Sequence, residues 1–273
     1  MTFPNQFENL IHEALSMPFS GWDFSFLGDR WKTSQPSWDY PALARSYMRG
    51  SQAMLDQDTG GGELFSLLAP FPPQTWVTES YPPNIPIAKQ RLEPLGIRVI
   101  SEYHDAAIPL PDASLDLVLN RHGSYSEAEL MRLLKPGGIF LTEQVGGQNC
   151  IRLNELLQEK VDFQFSYWTK ELITKQLLDA GFVLLEIQEE FPPAEFADIG
   201  AVVFYLRIIN WQVEDFSVEK YREKLYAIHN DILAHGPLQV FDHRILVEAC
   251  KPMGYSGEML NSKTAKITQS RKN

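Results

Sequence analysis

From residue 53 onward, short apolar runs and longer mixed stretches take turns along the chain. The runs at 53–55, 75–78, 97–100, 115–119, 139–142 and 182–187 have the length and branched or aromatic content of strands. Between them, 63–69, 85–95, 126–134 and 167–180 place apolar residues at helical spacing. Pro70 closes one helix, Pro83 opens another, and Gly96 and Gly181 fall just beyond helix ends. The run Lys135-Pro-Gly-Gly138 predicts a turn into the strand at Ile139. Strands alternating with helices predict βαβ units and a mostly parallel sheet covered on both faces.

The alternation lapses after Phe191-Pro-Pro193. Residues 196–210 then read as an apolar helix and 216–235 as an amphipathic one, before a final strand at 244–250. The first fifty residues carry Trp22, Phe24, Phe26, Trp31, Trp38, Tyr40 and Tyr47, are broken by Pro18, Pro36 and Pro41, and contain one predicted helix from Pro41 to Arg49. The expected organisation is an appendage at 1–50, a core at 51–195, a helical insertion or lid at 196–240, the last core strand at 241–253 and a polar tail at 254–273. Phe196, Ile199, Val202, Val203, Tyr205, Leu206 and Trp211 are too apolar for a solvated connection. They are expected to bury against the N-terminal aromatics or in a homodimer.

The most informative segment is 54–63, Met-Leu-Asp-Gln-Asp-Thr-Gly-Gly-Gly-Glu, a strand running through three glycines into a helix. Glycines there let the backbone approach a ligand closely. A phosphate loop requires Gly-Lys-Ser/Thr, but Glu63 follows Gly62 and would repel a phosphate. A dinucleotide fingerprint starting from Gly60 and Gly62 requires glycine where Phe65 stands. The segment therefore favours a cationic, zwitterionic ligand over a pyrophosphate. Glu79, at the tip of the second strand, is placed to accept two ribose hydroxyls, and Asp105 could accept an adenine amino group.

The segments at 54–63, Thr78-Glu79, His104-Asp105-Ala106, 110–118 and Leu133-Leu-Lys-Pro-Gly-Gly138 occur in that order. Together they resemble the successive motifs of class I S-adenosylmethionine-dependent methyltransferases, in particular the small-molecule group, over roughly residues 52–190. The resemblance implies a doubly wound α/β fold, a seven-stranded sheet of Rossmann-like type with its last strand, 244–250, antiparallel. It implies S-adenosyl-L-methionine as cofactor, with Asp56 and the turn Asp58, Thr59, Gly60 and Gly62 at the methionine end. Glu79 would hold the ribose, Asp105 with Ala106 the adenine, and Asn120 would lie beside the methionine moiety. The family usually has glycine where this chain has Asp58, a residue type that tolerates left-handed backbone and could face the cofactor's ammonium.

Substrate-facing residues are expected in Asn120-Arg-His-Gly-Ser-Tyr125, with His122 as candidate base and Arg121 as grip for an acidic substrate. Gln144 and Asn149, after the fifth strand, could bond substrate or cap the next helix. Charge narrows the partners. With 35 acidic and 24 basic side chains the net charge is −11, and the one dense basic run is the tail at 263–272. Nucleic acid requires a concentrated basic face, so a small-molecule substrate is expected and RNA methylation is disfavoured. Two distant cysteines, Cys150 and Cys250, build neither a zinc site nor a disulfide framework. No secretory signal or membrane-length apolar stretch is legible, so a cytoplasmic protein with no membrane contact is expected. A non-catalytic binding or regulatory protein and an NAD(P)-dependent oxidoreductase stand as rival readings.

Overall fold

The structure, a computed structural model, describes residues 3–19 and 24–253; the basic tail and Trp22 lie outside the described residues. After an N-terminal helix α1 (Phe3–Ser16) come β1 (Trp31–Thr33), α2 (Tyr40–Met48), β2 (Ala53–Gln57), α3 (Glu63–Ser66), β3 (Gln74–Thr78), α4 (Ile85–Leu92) and β4 (Arg98–Ile100). They are followed by β5 (Leu115–Arg121), α5 (Glu127–Leu133), β6 (Leu134–Val145), α6 (Ile151–Leu157), α7 (Lys170–Asp179) and β7 (Val183–Glu190). The chain closes with β8 (Pro193–Phe196), α8 (Ile199–Ile208), α9 (Val218–His235), β9 (Leu238–Phe241) and β10 (Arg244–Cys250).

Seven strands form one sheet in the order β4-β3-β2-β5-β6-β10-β7, in which β10 runs antiparallel to both β6 and β7. The expected mostly parallel, doubly wound sheet with an antiparallel last strand is present. The reason is visible in β2, whose five residues are all buried: a strand covered on both faces reads as one apolar run. Its side chains still alternate. Met54 joins Phe65, Leu92, Leu117 and Tyr40 on one face, while Leu55 joins Val118, Phe140, Ile173 and Leu177 on the other. Helices α2–α4 cover the first face, and α5 and α7 the second.

A second core surrounds a smaller antiparallel sheet of order β1-β8-β9. Because β8 follows β7 and β9 precedes β10, this unit is inserted before the last strand of the main sheet, and it captures α1. Ile199 through Leu206 are buried without a gap, which accounts for a helix apolar on every side. Gly200 lets α1 come close: a Cβ there would stand 2.4 Å from Arg30 Nη2 and 2.9 Å from the Leu10 carbonyl. Arg30 grips both oxygens of Asp198, each at 2.7 Å, while Asp198 caps α8 by accepting the Ala201 N–H. The unit meets the loop after β6 through Tyr205, which shares a hydrogen bond with Asn149, and through Gln212, which donates to the Asn149 carbonyl and to Asn154. Among the described residues, no helix is long and apolar enough to cross a membrane.

Three details differ from the sequence expectations. The Lys135-Pro-Gly-Gly138 turn lies within β6, where the pairing slips from Leu115↔Leu134 to Leu117↔Ile139 and Gly137 takes φ +78°. It is a bulge that aims the strand, not a separate turn. The helix expected at 63–69 stops at Ser66, ahead of Pro70. The helix expected from Phe196 starts at Ile199, since Phe196 pairs with Leu238 in the small sheet.

Candidate functional site

The turn after β2 is built by left-handed residues. Asp58 takes φ 56°, Gly60 64° and Gly62 76°. Asp58 thus meets the backbone demand that glycine meets more cheaply. The turn is tied to the end of β3: the Thr59 N–H donates to the Thr78 carbonyl at 2.9 Å and the Asp58 N–H to Thr78 Oγ1 at 3.0 Å. Gly62 has a further reason to lack a side chain, because a Cβ would press within 2.7 Å of Leu92 on α4.

Four carboxylates surround this turn at the carboxyl ends of β2, β3 and β4. Burial drives the Asp56 carboxyl up to about 7, against the opposing Thr59 hydroxyl and with the help of Asp58. Burial likewise lifts Asp58 to about 6, with Asp105 and Glu79 adding to the push and a hydrogen bond from Tyr103 opposing it. Glu79 is also raised by burial, although it accepts the Tyr81 N–H at 2.7 Å and stands 3.4 Å from Asn84 Nδ2. Asp105 accepts the Ser124 hydroxyl, and the Ala106 N–H donates to His104 Nδ1 at 3.2 Å. Tyr103 therefore ties the segment after β4 to the glycine turn, and Ser124 ties the segment after β5 to Asp105. Asp56, Asp58, Thr59, Gly60 and Gly62 lie on β2 and the turn after it, Glu79 follows β3, and Asp105 and Glu79 stand close enough to Asp58 to raise its carboxyl.

Asn120 is fully buried and spent on the fold. Its Oδ1 accepts from Gln144 Nε2 at 2.7 Å and from Thr142, and its Nδ2 donates to the Ser124 carbonyl. What β5 offers here beside Gln57 of β2 is therefore the Asn120 backbone, whose carbonyl accepts the Tyr40 hydroxyl at 3.2 Å. Asn149 does not cap α6: its Oδ1 accepts from the His243 N–H and Arg244 Nη1, and Cys150 occupies the cap position. The asparagine serves as a clip between the two cores.

A second cluster centres on Glu143, near the carboxyl end of β6. This side chain, 5% exposed, accepts Trp38 Nε1 at 2.7 Å and Arg121 Nε at 2.8 Å, and lies 3.3 Å from His122 Nε2. Burial alone would raise its carboxyl, but the His122 ring, Arg121 and Trp38 outweigh that and hold it at about 2. Trp38, Tyr40, Tyr103 and Glu143 were not singled out in the sequence as site residues. The available signal was two aromatics flanking the Asp39 cap of α2.

No family model and no curated protein matches this chain. Solved structures do. A putative methyltransferase from Bacillus halodurans superposes with a TM-score of 0.56 at 20% identity, over 79% of this chain and 99% of that one. The YcgJ protein from Bacillus subtilis gives 0.55 at 16% identity, over the same shares. The fold is that of the class I methyltransferases. A structure described as the [4+2]-cyclase SpnF also matches, with TM-score 0.51 and 14% identity over 91% of this chain and 95% of that one. The shared architecture therefore does not fix the reaction, which has to be argued from the site.

Proposed function

We propose that this chain binds S-adenosyl-L-methionine and transfers its methyl group to a small-molecule acceptor. The observation that carries the reading is the convergence of Asp56, Asp58, Glu79 and Asp105 on one glycine turn, three of them pushed upward by burial. Buried carboxylates without a cation are costly. A ligand with an ammonium and a sulfonium relieves that cost, whereas a pyrophosphate adds to it. This disfavours the NAD(P) reading, and the net charge of −11 disfavours RNA.

In this reading Asp56 and Asp58 face the ammonium, Glu79 the ribose hydroxyls, and Asp105 with the Ala106 N–H the adenine edge. When bound, the cofactor supplies an electrophilic methyl on a positively charged sulfur. The chain's own contribution is orientation: the backbone at Asn120, held by Tyr40 and Gln144, walls the methionine side. The unit from β8 to β9 walls the substrate side through the loop after β6. One observation favours the rival of a non-catalytic protein: Asp58 and Asp105 already accept the Tyr103 and Ser124 hydroxyls, so each has less acceptor capacity left for a ligand.

Calorimetry with S-adenosylhomocysteine separates the two. Binding by the wild type is expected, and Glu79→Ala is expected to weaken it about tenfold or more, since a charge-assisted hydrogen bond is worth about 1.5–3 kcal/mol. Absence of binding by the wild type leaves the non-catalytic reading standing.

A further inference from the structure

The segment between α6 and α7 turns aromatic rings towards water. Phe165 is 40% exposed and Tyr167 58%. Their rings belong to one line: Tyr125 meets Trp168 at 6.1 Å between centroids, Trp168 meets Tyr167 at 6.4 Å, and Tyr167 meets Phe165 at 6.4 Å. The line is rooted in the main core, where Tyr125 packs edge-on against Phe140 of β6. The Tyr125 hydroxyl is buried and has no hydrogen-bond partner among the described residues. The backbone fixes the line to the exit of β6. The Gly147 N–H donates to the Trp168 carbonyl at 2.7 Å, and a Cβ on Gly147 would stand 2.4 Å from the Phe165 carbonyl oxygen. At Gly146 a Cβ would stand 2.3 Å from the His243 ring, on which Phe191, itself 42% exposed, stacks at 4.5 Å. The root of the line is also joined to the glycine turn. Just before Tyr125, Ser124 donates to Asp105, and a Cβ on Gly123 would stand 2.6 Å from Asp58.

We propose that Phe165 and Tyr167, backed by Trp168, are the surface that selects the methyl acceptor, and that the acceptor is a planar, largely apolar ring system. The proposal deepens the methyltransferase reading above and rests on it. Ligands of open α/β sheets bind beyond the carboxyl ends of the strands, which is where Gly147 holds this line. Aromatic side chains take flat apolar ligands in offset or edge-to-face contact and shed water from both partners as they do so. The acceptor's rings lie along Tyr167 and Phe165, and its reacting end points past Tyr125 towards Ser124 and the glycine turn. A polar group at that end satisfies the unspent Tyr125 hydroxyl. The chain's own tail leaves from the other end of the sheet, since Met253 lies against Gly137 near the start of β6. A polyanion with stacking bases is repelled by a net charge of −11.

The test titrates 2-naphthol, with glycerol as the polar control, into the full chain in the presence of S-adenosylhomocysteine and reads binding by ligand-observed NMR. Naphthol is expected to bind and glycerol not to. The double variant Phe165→Ser/Tyr167→Ser is expected to weaken naphthol on the order of tenfold, the worth of two lost ring contacts. Leu178→Ser, at an equally exposed apolar position on α7, is expected to leave naphthol affinity unchanged. Should the double variant fail to fold, Tyr167→Ser alone carries the test, with a loss of about threefold expected. Four results overturn the proposal. They are no naphthol binding by the wild type, equal affinity in the variants, a concentration-dependent dimer in sedimentation that the variants abolish, and co-sedimentation with phosphatidylcholine vesicles that they abolish. The third makes the strip an interface between copies, and the fourth makes it a membrane contact. Failure of S-adenosylhomocysteine to bind is read separately, by calorimetry, and removes the functional reading itself.

Discussion

Affinity for S-adenosylhomocysteine is expected to fall roughly a thousandfold between pH 8 and pH 5. In the free protein Asp56 stands at about 7 and Asp58 at about 6, so both are largely protonated at pH 5. Facing an ammonium they are ionised, so binding expels the protons they hold. Below its free-protein pKa each group costs a factor of ten per pH unit, which is about two factors from Asp56 and one from Asp58. Above about pH 8 the affinity is flat, because both are then ionised. The sign is opposite for stability of the free protein. A carboxyl raised above its unfolded value binds more protons when folded, so its contribution is present at acid pH and is lost as pH rises towards 7. Burial holds His122 below its usual value and so contributes the opposite slope over much of the same window; the aspartate effect is therefore read by difference, and the melting temperature of Asp56→Asn is expected to fall less with rising pH than that of the wild type. Asp56→Asn is expected to flatten the affinity profile towards a single step near pH 6. A wild-type affinity independent of pH between 5 and 8 would show that neither acid meets the ammonium.

The main sheet was legible because its signals are local and repeated. Central strands buried on both faces leave apolar runs, and the turn after β2 needs left-handed residues that glycine and aspartate mark in the sequence. The β6 bulge was misread as a turn because Lys135-Pro-Gly-Gly138 looks the same in both roles; only the slip from Leu115↔Leu134 to Leu117↔Ile139 distinguishes them. The small sheet left almost no trace. Its strand β1 has three residues, β8 begins at Pro193 and β9 is four residues long, so no period-2 pattern has room to develop. Helix α1 does carry Phe7, Ile11 and Ala14 at helical spacing, all buried. Its partner α8 lies nearly two hundred residues away, and no local pattern names that partner. The site divides along the same line. Asp56 lies near the end of β2, and Asp58, Glu79 and Asp105 follow strand ends, where position points to a ligand. Trp38 and Tyr40 reach the site from an N-terminal helix start, and Glu143 gains its meaning from three donors on two separate segments, Trp38 and the adjacent pair Arg121-His122.

Phe204→Ala is expected to cost about 3–5 kcal/mol of stability, the usual range for emptying a fully buried phenylalanine site. Phe204 has no exposed surface, and its ring meets Phe26 at 4.7 Å and Phe19 at 6.2 Å between centroids, with the Arg207 guanidinium 5.0 Å from its face. Arg207 cannot follow the retreating surface, because it donates to the carbonyls of Leu15 and Met17 at the end of α1. The cavity therefore opens at the seam that attaches α1 to α8 and stays open. A guanidinium titration reads the loss as a lower midpoint. The same variant separates the two cores functionally. The glycine turn packs with Leu92, Met54 and Phe65 in the first core, to which Phe204 does not belong. Affinity for S-adenosylhomocysteine is thus expected to survive in the folded fraction. If calorimetry on folded Phe204→Ala protein shows a tenfold weaker ligand, the inserted unit reaches the cofactor cleft through Tyr205, Asn149 and the loop after β6. It then holds the cleft in shape and does more than wall the substrate side.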